Sequence, residues 1–423
     1  MNKKTIFCGL SFLFLIARAY PQLTIEECHA KARENYPLVR QHGLISLTEA
    51  YNLSNADKGY YPQISFSARG TYQSDVTSLP FTLPGSDVPE MDKDQYQAAA
   101  EISQVLWDGG MISAKKKITK AASEVDKQRN EVELYKLKDR VNQVFFGILL
   151  LDERLKQNLI LQKELQRNRD LVTAYIQGGI ASQSDADVID VELLNAEQRR
   201  IELDAAKKAY MEMLAALTGL SIHPGLILEK PSAELPEKGS FNNSLNRPEL
   251  DLFEARGTLS ESRRSAVNAG LTPRISFFLQ GGYGRPGLNM LDSEFSPFYI
   301  WGVRALWNLN GFYTLKNDYK LIEIEKESLE TEKETFLFNN SLSIDQIENE
   351  TGKIARLIEN DDEIIMLRGR IKKAAENRVE SGTLAISDLV KEINAFDAAS
   401  QEKSLHEIQL LLAVYNLKNL ANN

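Results

Sequence analysis

The side chains able to carry chemistry are few and scattered. The four histidines, His29, His42, His223 and His406, stand far apart. No two share the spacing that sets a pair of metal ligands on one face of a helix. Gly281-Gly282-Tyr283-Gly284 has the composition of a phosphate loop, but it lies inside a strand-like alternation and lacks the lysine and helix that would come next. No catalytic residue, metal site or cofactor is therefore expected. Two carboxylates do recur in matched positions: Asp185 and Asp388 each lie six residues after a glycine, Gly179 and Gly382. In the first turn of a helix an aspartate complements the dipole, worth about 0.3–1 kcal/mol. Charge-dense stretches such as Ile322 to Lys333 read as solvated helix faces.

These residues belong to a chain that carries an export signal. Lys3 and Lys4 precede an apolar run from Ile6 to Ile16 and the small-residue site Ala17-Arg18-Ala19, the pattern of a secretory signal peptide. The run is shorter than the ~20 residues a membrane helix needs, and no later segment supplies one. Removing residues 1–19 takes away three positive charges, so the formal charge goes from −9 to about −12. Nucleic acid is not an expected partner. Cys8 lies in the apolar run, which leaves Cys28 alone in the mature chain and excludes an internal disulfide. Neither cysteine has the context of a lipidated residue. Thr24-Ile25-Glu26-Glu27 fits a capping box that places Cys28 to pack against Leu23.

An internal duplication fills nearly all the rest. Asn35 to Tyr72 aligns without gaps on Asn246 to Tyr283, pairing Pro37 with Pro248, Gly59 with Gly270, Pro62 with Pro273 and Gly70 with Gly281. Beyond a shorter loop in the second copy, an offset of 203 pairs Leu106 with Leu309, Gly179 with Gly382 and Asp185 with Asp388. The expected organisation is a signal peptide at 1–19, a first repeat at 20–220, a linker at 221–243 and a second repeat at 244–423.

Each repeat changes period twice. Residues 24–57 read as helix, stopped by Gly59 and Pro62, and Gly270 with Pro273 repeat that stop. A β-hairpin comes next at about 63–107, with Ile64, Phe66, Ala68, Gly70 and Tyr72 on one face and Ser65, Ser67 and Arg69 on the other. Its returning strand sets Ala98, Ala100, Ile102 and Leu106 against Ala99, Glu101 and Ser103. The second hairpin falls at about 274–309, with Trp301, Val303, Ala305 and Leu309 on the apolar side. Then come long helical hairpins at about 111–217 and 312–420, free of proline and carrying the mixed three and four spacing of coiled-coil seams. Their turns are Gly178-Gly179-Ile180-Ala181-Ser182 and Ser381-Gly382-Thr383.

This order resembles the TolC outer-membrane efflux family over essentially the whole mature chain. The residues carrying the resemblance are Leu23 to Glu27, Asn35-Tyr36-Pro37, Leu106-Trp107-Asp108-Gly109-Gly110, Gly179 to Asp185, and Leu217-Thr218-Gly219. It implies a mixed α and β membrane protein: a homotrimer sharing one twelve-stranded β-barrel, four strands per chain, continued by a long α-helical coiled-coil tunnel. The physics agrees, because four strands cannot close a barrel and an open edge in lipid leaves backbone groups unsatisfied.

The resemblance also implies a place and partners. These are the outer membrane of a Gram-negative bacterium with a periplasmic extension, outer-membrane lipid, a periplasmic adaptor of the membrane-fusion kind, and an inner-membrane pump of a tripartite efflux or type I secretion system. The loops Ser74 to Gln95 and Gly284 to Pro297 would lie outside the cell, and Gly179 and Gly382 at the periplasmic entrance. There Asp388 is the candidate for cation selectivity and Asp185 for holding the helices closed, while Ser65, Ser67, Arg69 and Glu101 are candidates for the lumen. The chain departs from the family in having Lys391 for a second acidic residue and Val379 for a tyrosine. Two rival readings are a periplasmic adaptor, which would carry a single helical hairpin, and a structural coiled-coil stalk, which leaves the matched strands unexplained.

The mature chain is expected to begin at about Tyr20 and to carry no acyl group. Intact mass of protein recovered from the outer-membrane fraction checks this; a mass that includes residues 1–19 or a lipid would count against it.

Overall fold

The structure is a computed structural model that describes residues 23–77, 91–221, 226–232 and 245–421. The signal peptide, most of the loop after Ser74 and most of the linker 221–243 lie outside the described residues. The elements, in order, are α1 (Ile25–Asn35), α2 (Val39–Asp57), β1 (Gln63–Tyr72), β2 (Asp94–Trp107), α3 (Met111–Tyr135), α4 (Leu137–Gln177), α5 (Gln183–Thr218), α6 (Pro248–Gly270), β3 (Arg274–Arg285), β4 (Ser296–Leu306), α7 (Gly311–Glu380) and α8 (Ile386–Ala421). None of the described helices is both long and apolar enough to cross a membrane.

The helix expected over 24–57 is broken at Tyr36-Pro37. Tyr36 is extended, with ψ 128°, because the proline ring disfavours the helical conformation in the residue before it. A second break, at Lys136, divides the long helix expected from Ser113 to Tyr175. Its counterpart α7 runs unbroken for 70 residues.

The chain forms two compact units, each drawing on both repeats. One comprises residues 37–133 and 247–339. It holds a single antiparallel sheet in the order β1-β2-β3-β4, with α2, α6 and the adjoining parts of α3 and α7. Between β2 and α3, Gly109 and Gly110 take φ of 71° and 86°, a left-handed turn open to glycine. A Cβ at Gly109 would stand 1.8 Å from Thr272 Oγ1, the hydroxyl that donates to the Gly109 carbonyl at 2.9 Å. Asp108 closes the start of α3 by accepting from the Gly110 and Ile112 amides at 2.9 and 2.5 Å. The Leu-Trp-Asp-Gly-Gly motif is thus the joint that turns a strand into a helix.

The other unit comprises the described parts of residues 1–36, 134–246 and 340–423. Its main core gathers Ile25, Cys28 and Ala32 of α1 with Val141, Phe145, Phe146 and Ile148 of α4, Leu214 of α5, and Ile408 and Leu411 of α8. The capping box forms as expected: Glu27 N–H donates to Thr24 Oγ1 at 3.1 Å, and Thr24 N–H to Glu27 Oε2 at 3.2 Å. Two further motifs interlock. Asn35 Nδ2 donates to the Ala216 and Leu217 carbonyls at 3.1 and 3.3 Å, satisfying the end of α5 just before Gly219.

Cys28 lies in the same cluster as Leu23. Burial, and behind it the carboxylates of Glu27 and Glu26, push its thiol up to about 12. Thiolate is the reactive form, so Cys28 is expected to resist iodoacetamide at pH 8 in the folded protein and to react fully in guanidinium chloride. Rapid alkylation of the native protein, read by mass, would contradict that environment.

Candidate channel surfaces

The hydrogen-bond register decides which strand residues share a face, since directly paired residues point the same way. Ile64, Ile102, Leu279 and Trp301 stand in one row across the sheet, and Phe66, Ala100, Gly281 and Tyr299 in the next. These rows are apolar yet open: Phe66 is 84% exposed and Trp301 66%. On the opposite face Ser65, Glu101, Gln280 and Ile300 form one row, Ser67, Ala99, Gly282 and Phe298 another, and Arg69, Gln97, Gly284 and Ser296 a third. All four lumen candidates therefore share one face. Arg69 reaches Gln97 at 3.4 Å, and Glu101 pairs with Arg304 at 3.3 Å.

Two details differ from the sequence expectation. A bulge between Val105 and Trp107 brings Trp107, not Leu106, into register with Ile275. One inserted residue shifts the strand to its other face, and the tryptophan joins the apolar side. β4 ends at Leu306, so Leu309 lies beyond the strand and Trp307, rather than Leu309, stands where the first repeat ends its hairpin. The second repeat's polar face also carries aromatics. Gly282 leaves room for the Phe298 ring, which a Cβ would meet at 2.5 Å, and Arg304 lies 4.6 Å over Phe278. Aromatic residues band both ends of the sheet: Tyr60, Trp107, Trp307 and Tyr313 at the helix-proximal end, Tyr72, Tyr96, Tyr283 and Tyr299 at the other.

The helical hairpin turns lie in the other unit and are built alike. Gly179 and Gly382 both have φ 71°. Ile180 N–H donates to the Tyr175 carbonyl and Thr383 N–H to that of Arg378, each at 2.8 Å, the six-to-one bond of a glycine-terminated helix. Beneath them one core joins the ends of both hairpins, with Leu165 and Val172 of α4, Ile189 of α5, Val379 of α7, and Leu389 and Ile393 of α8. Polar contacts tie the first hairpin to the second: Lys372–Glu164 at 2.7 Å, Arg167–Glu376 at 3.3 Å and Asn394–Glu192 at 3.2 Å. Burial holds the Asp397 carboxyl above its usual range, with the Gln401 hydrogen bond and Arg199 pulling against it.

The two matched aspartates part company here. Asp185 Oδ2 accepts from the Ser182 amide at 2.9 Å and from its hydroxyl at 2.8 Å, which makes it a helix cap. Asp388 instead pairs with Lys391 at 2.9 Å, and that contact raises the lysine's affinity for its proton. The pair sits i, i+3 on an exposed helix face, an arrangement the departure at Lys391 already allowed.

The chain thus combines an antiparallel sheet with one open apolar face and two long helical hairpins. The sequence profile described as outer membrane efflux protein matches residues 31–220. The whole fold is similar to solved structures of CusC (13% identity, TM-score 0.69, 95% of this chain and 92% of that one) and of the Campylobacter jejuni CmeC outer membrane channel (13%, 0.63, 94% and 85%). It is also similar to VceC from Vibrio cholerae (12%, 0.64, 94% and 96%). No curated protein matches the sequence. Residues 31–220 thus match the outer membrane efflux protein family, and the fold of the chain as a whole is that of these solved outer-membrane channels.

On a strand face in lipid, arginine costs about 2–4 kcal/mol near the bilayer midplane. Ile64→Arg or Phe66→Arg is expected to reduce the yield of assembled protein sharply, while Ser65→Arg and Ser67→Arg should leave it near wild type. Heat-modifiable migration of membrane extracts reads the difference, and equal damage on both faces would overturn the facing.

Proposed function

We propose that three copies of this chain close one twelve-stranded barrel in the outer membrane and continue it into the periplasm as a helical tunnel. The tunnel serves as the passive exit duct of a tripartite efflux or type I secretion system. One observation carries the reading. Among the described residues β1 pairs only with β2 and β4 only with β3, so an exposed apolar sheet ends in two free edges. Copies of the same chain, β4 of one beside β1 of the next, satisfy both edges by rotation alone. In this reading the energy comes from an inner-membrane pump reached through a periplasmic adaptor.

The hairpin turns at Gly179 and Gly382 would form the periplasmic gate. Asp388 is placed to bias the pore toward cations, tempered by Lys391, and Asp185 to hold the paired helices closed by fixing the start of α5. In planar bilayers the detergent-extracted protein is expected to behave as a trimer of low resting conductance. Asp388→Ala leaves Lys391 without its partner and should lower cation selectivity; Asp185→Ala should raise conductance or noise. A monomer by light scattering that forms no channel would end the duct reading. Unchanged selectivity and conductance in trimeric variants would reduce both aspartates to helix-start residues.

A further inference from the structure

Charge is unevenly placed about the sheet. The described residues next to its loop-side ends include Asp92, Asp94, Asp292 and Glu294 beside Lys93 and Arg285, the last paired with Asp92 and Asp94, whereas α3, directly after β2, opens with Lys115, Lys116, Lys117 and Lys120. That is a dense cationic cluster in a chain with 59 acidic and 50 basic residues. Lys116 is paired with Asp57 at 2.6 Å. Lys117 and Lys120 are exposed and have no carboxylate partner among the described residues. Together with Tyr60, Ile112, Ser113 and Lys116 they line a concavity of about 350 Å³. Tyr60, which lines the concavity, belongs to the helix-proximal aromatic band, and such rings are enriched at membrane–water boundaries.

We propose that Lys117 and Lys120 hold the phosphate of an anionic phospholipid headgroup, in the membrane leaflet at the helix-proximal end of the barrel. This rests on the barrel reading above. The phosphate layer lies just outside the aromatic layer, within reach of lysine side chains that keep their stems along apolar surface and their charge in water. Tyr60 and Ile112 offer the glycerol region an apolar wall. Trp107, four residues before the start of α3, is turned by the bulge to the apolar sheet face. A lipid is thus met by hydrocarbon contact along the strands and by positive charge at the strand ends.

The test compares wild type, Lys117→Gln, Lys120→Gln, the double glutamine variant and the double arginine variant. Each is reconstituted into phosphatidylcholine vesicles with and without phosphatidylglycerol. Retained lipid is then counted by native mass spectrometry of the extracted trimer at two salt concentrations. A lysine near an anionic surface is worth roughly fivefold in affinity, so the double glutamine variant should lose roughly 25-fold of the preference for phosphatidylglycerol. The arginine variant should keep it, and salt should weaken it. Wild type that inserts but shows no preference for phosphatidylglycerol overturns the inference and leaves the barrel standing. So does a double glutamine variant with unchanged preference, or one whose only change is in ion selectivity, which would place the lysines on the lumen. Failure of wild type to insert into either vesicle overturns the barrel reading and this inference with it.

Discussion

A strand at the edge of a sheet carries a row of N–H and C=O groups with no partner, and the whole molecule is organised around where those groups go. In water they are solvated; in hydrocarbon each unsatisfied group costs several kcal/mol. β1 has 10 residues and β4 has 11, and alternate groups on each point to the free side. Even a few such groups in lipid would exceed the ~5–15 kcal/mol that stabilises an ordinary domain. A single chain could therefore not keep this sheet in a bilayer. The sheet is also poorly suited to water alone, because among the described residues its apolar rows, Phe66 and Trp301 among them, are exposed. The arrangement proposed above meets both demands at once, with edges joined to other copies and the apolar face against lipid.

The same requirement governs the other end of each repeat, where a helix must stop and reverse without leaving its last carbonyls bare. Gly179 and Gly382 solve it identically, through a left-handed residue and a bond back across the turn. The segments just after these glycines have diverged. The first repeat caps its returning helix with Ser182 and Asp185, while the second commits its aspartate to an ion pair with Lys391. Duplication preserved the backbone solution, which has few alternatives, and released the side chains, which have many. That difference makes Asp185 part of a helix cap and sets Asp388 in an exposed ion pair with Lys391.

Much of this was legible in the sequence, and the boundary between legible and hidden has a physical basis. Strand facing was readable because alternation is a local property: Ser65, Ser67, Arg69 and Glu101 fall on one face as their spacing requires. The Thr24–Glu27 cap and the glycine turns were readable because each is written in a few adjacent residues. The bulge at Val105–Trp107 was not, since it depends on pairing with β3, more than 160 residues away. The constant offset of 203 also misled at Leu309: α3 begins at Met111 and α7 at Gly311, so the strand-to-helix junctions match at an offset of 200, and the second repeat's three extra residues lie within its long helix. The break at Lys136 has no proline or glycine to announce it, and the structure offers no local cause. The pairing of Asp388 with Lys391 could have been found, since i, i+3 opposite charges on a helix face meet.

The departures within the sheet show how a duplicated unit stays compatible with one wall. In the first repeat the polar face is made of small and charged side chains, Ser65, Ser67 and Arg69. In the second, Phe278, Phe298 and Ile300 occupy the same face, and each large ring is met by a specific accommodation. Gly282 gives the Phe298 ring the space a side chain would have taken, and Arg304 covers Phe278 while reaching Glu101 on β2. Aromatic mass on a wet face is tolerable when a guanidinium covers it, because the cation satisfies the ring's electron-rich surface and stays hydrated itself. The Glu101–Arg304 contact therefore does more than neutralise two charges. It ties a strand of the first repeat to one of the second across β3, and it keeps the second repeat's face polar opposite the apolar one.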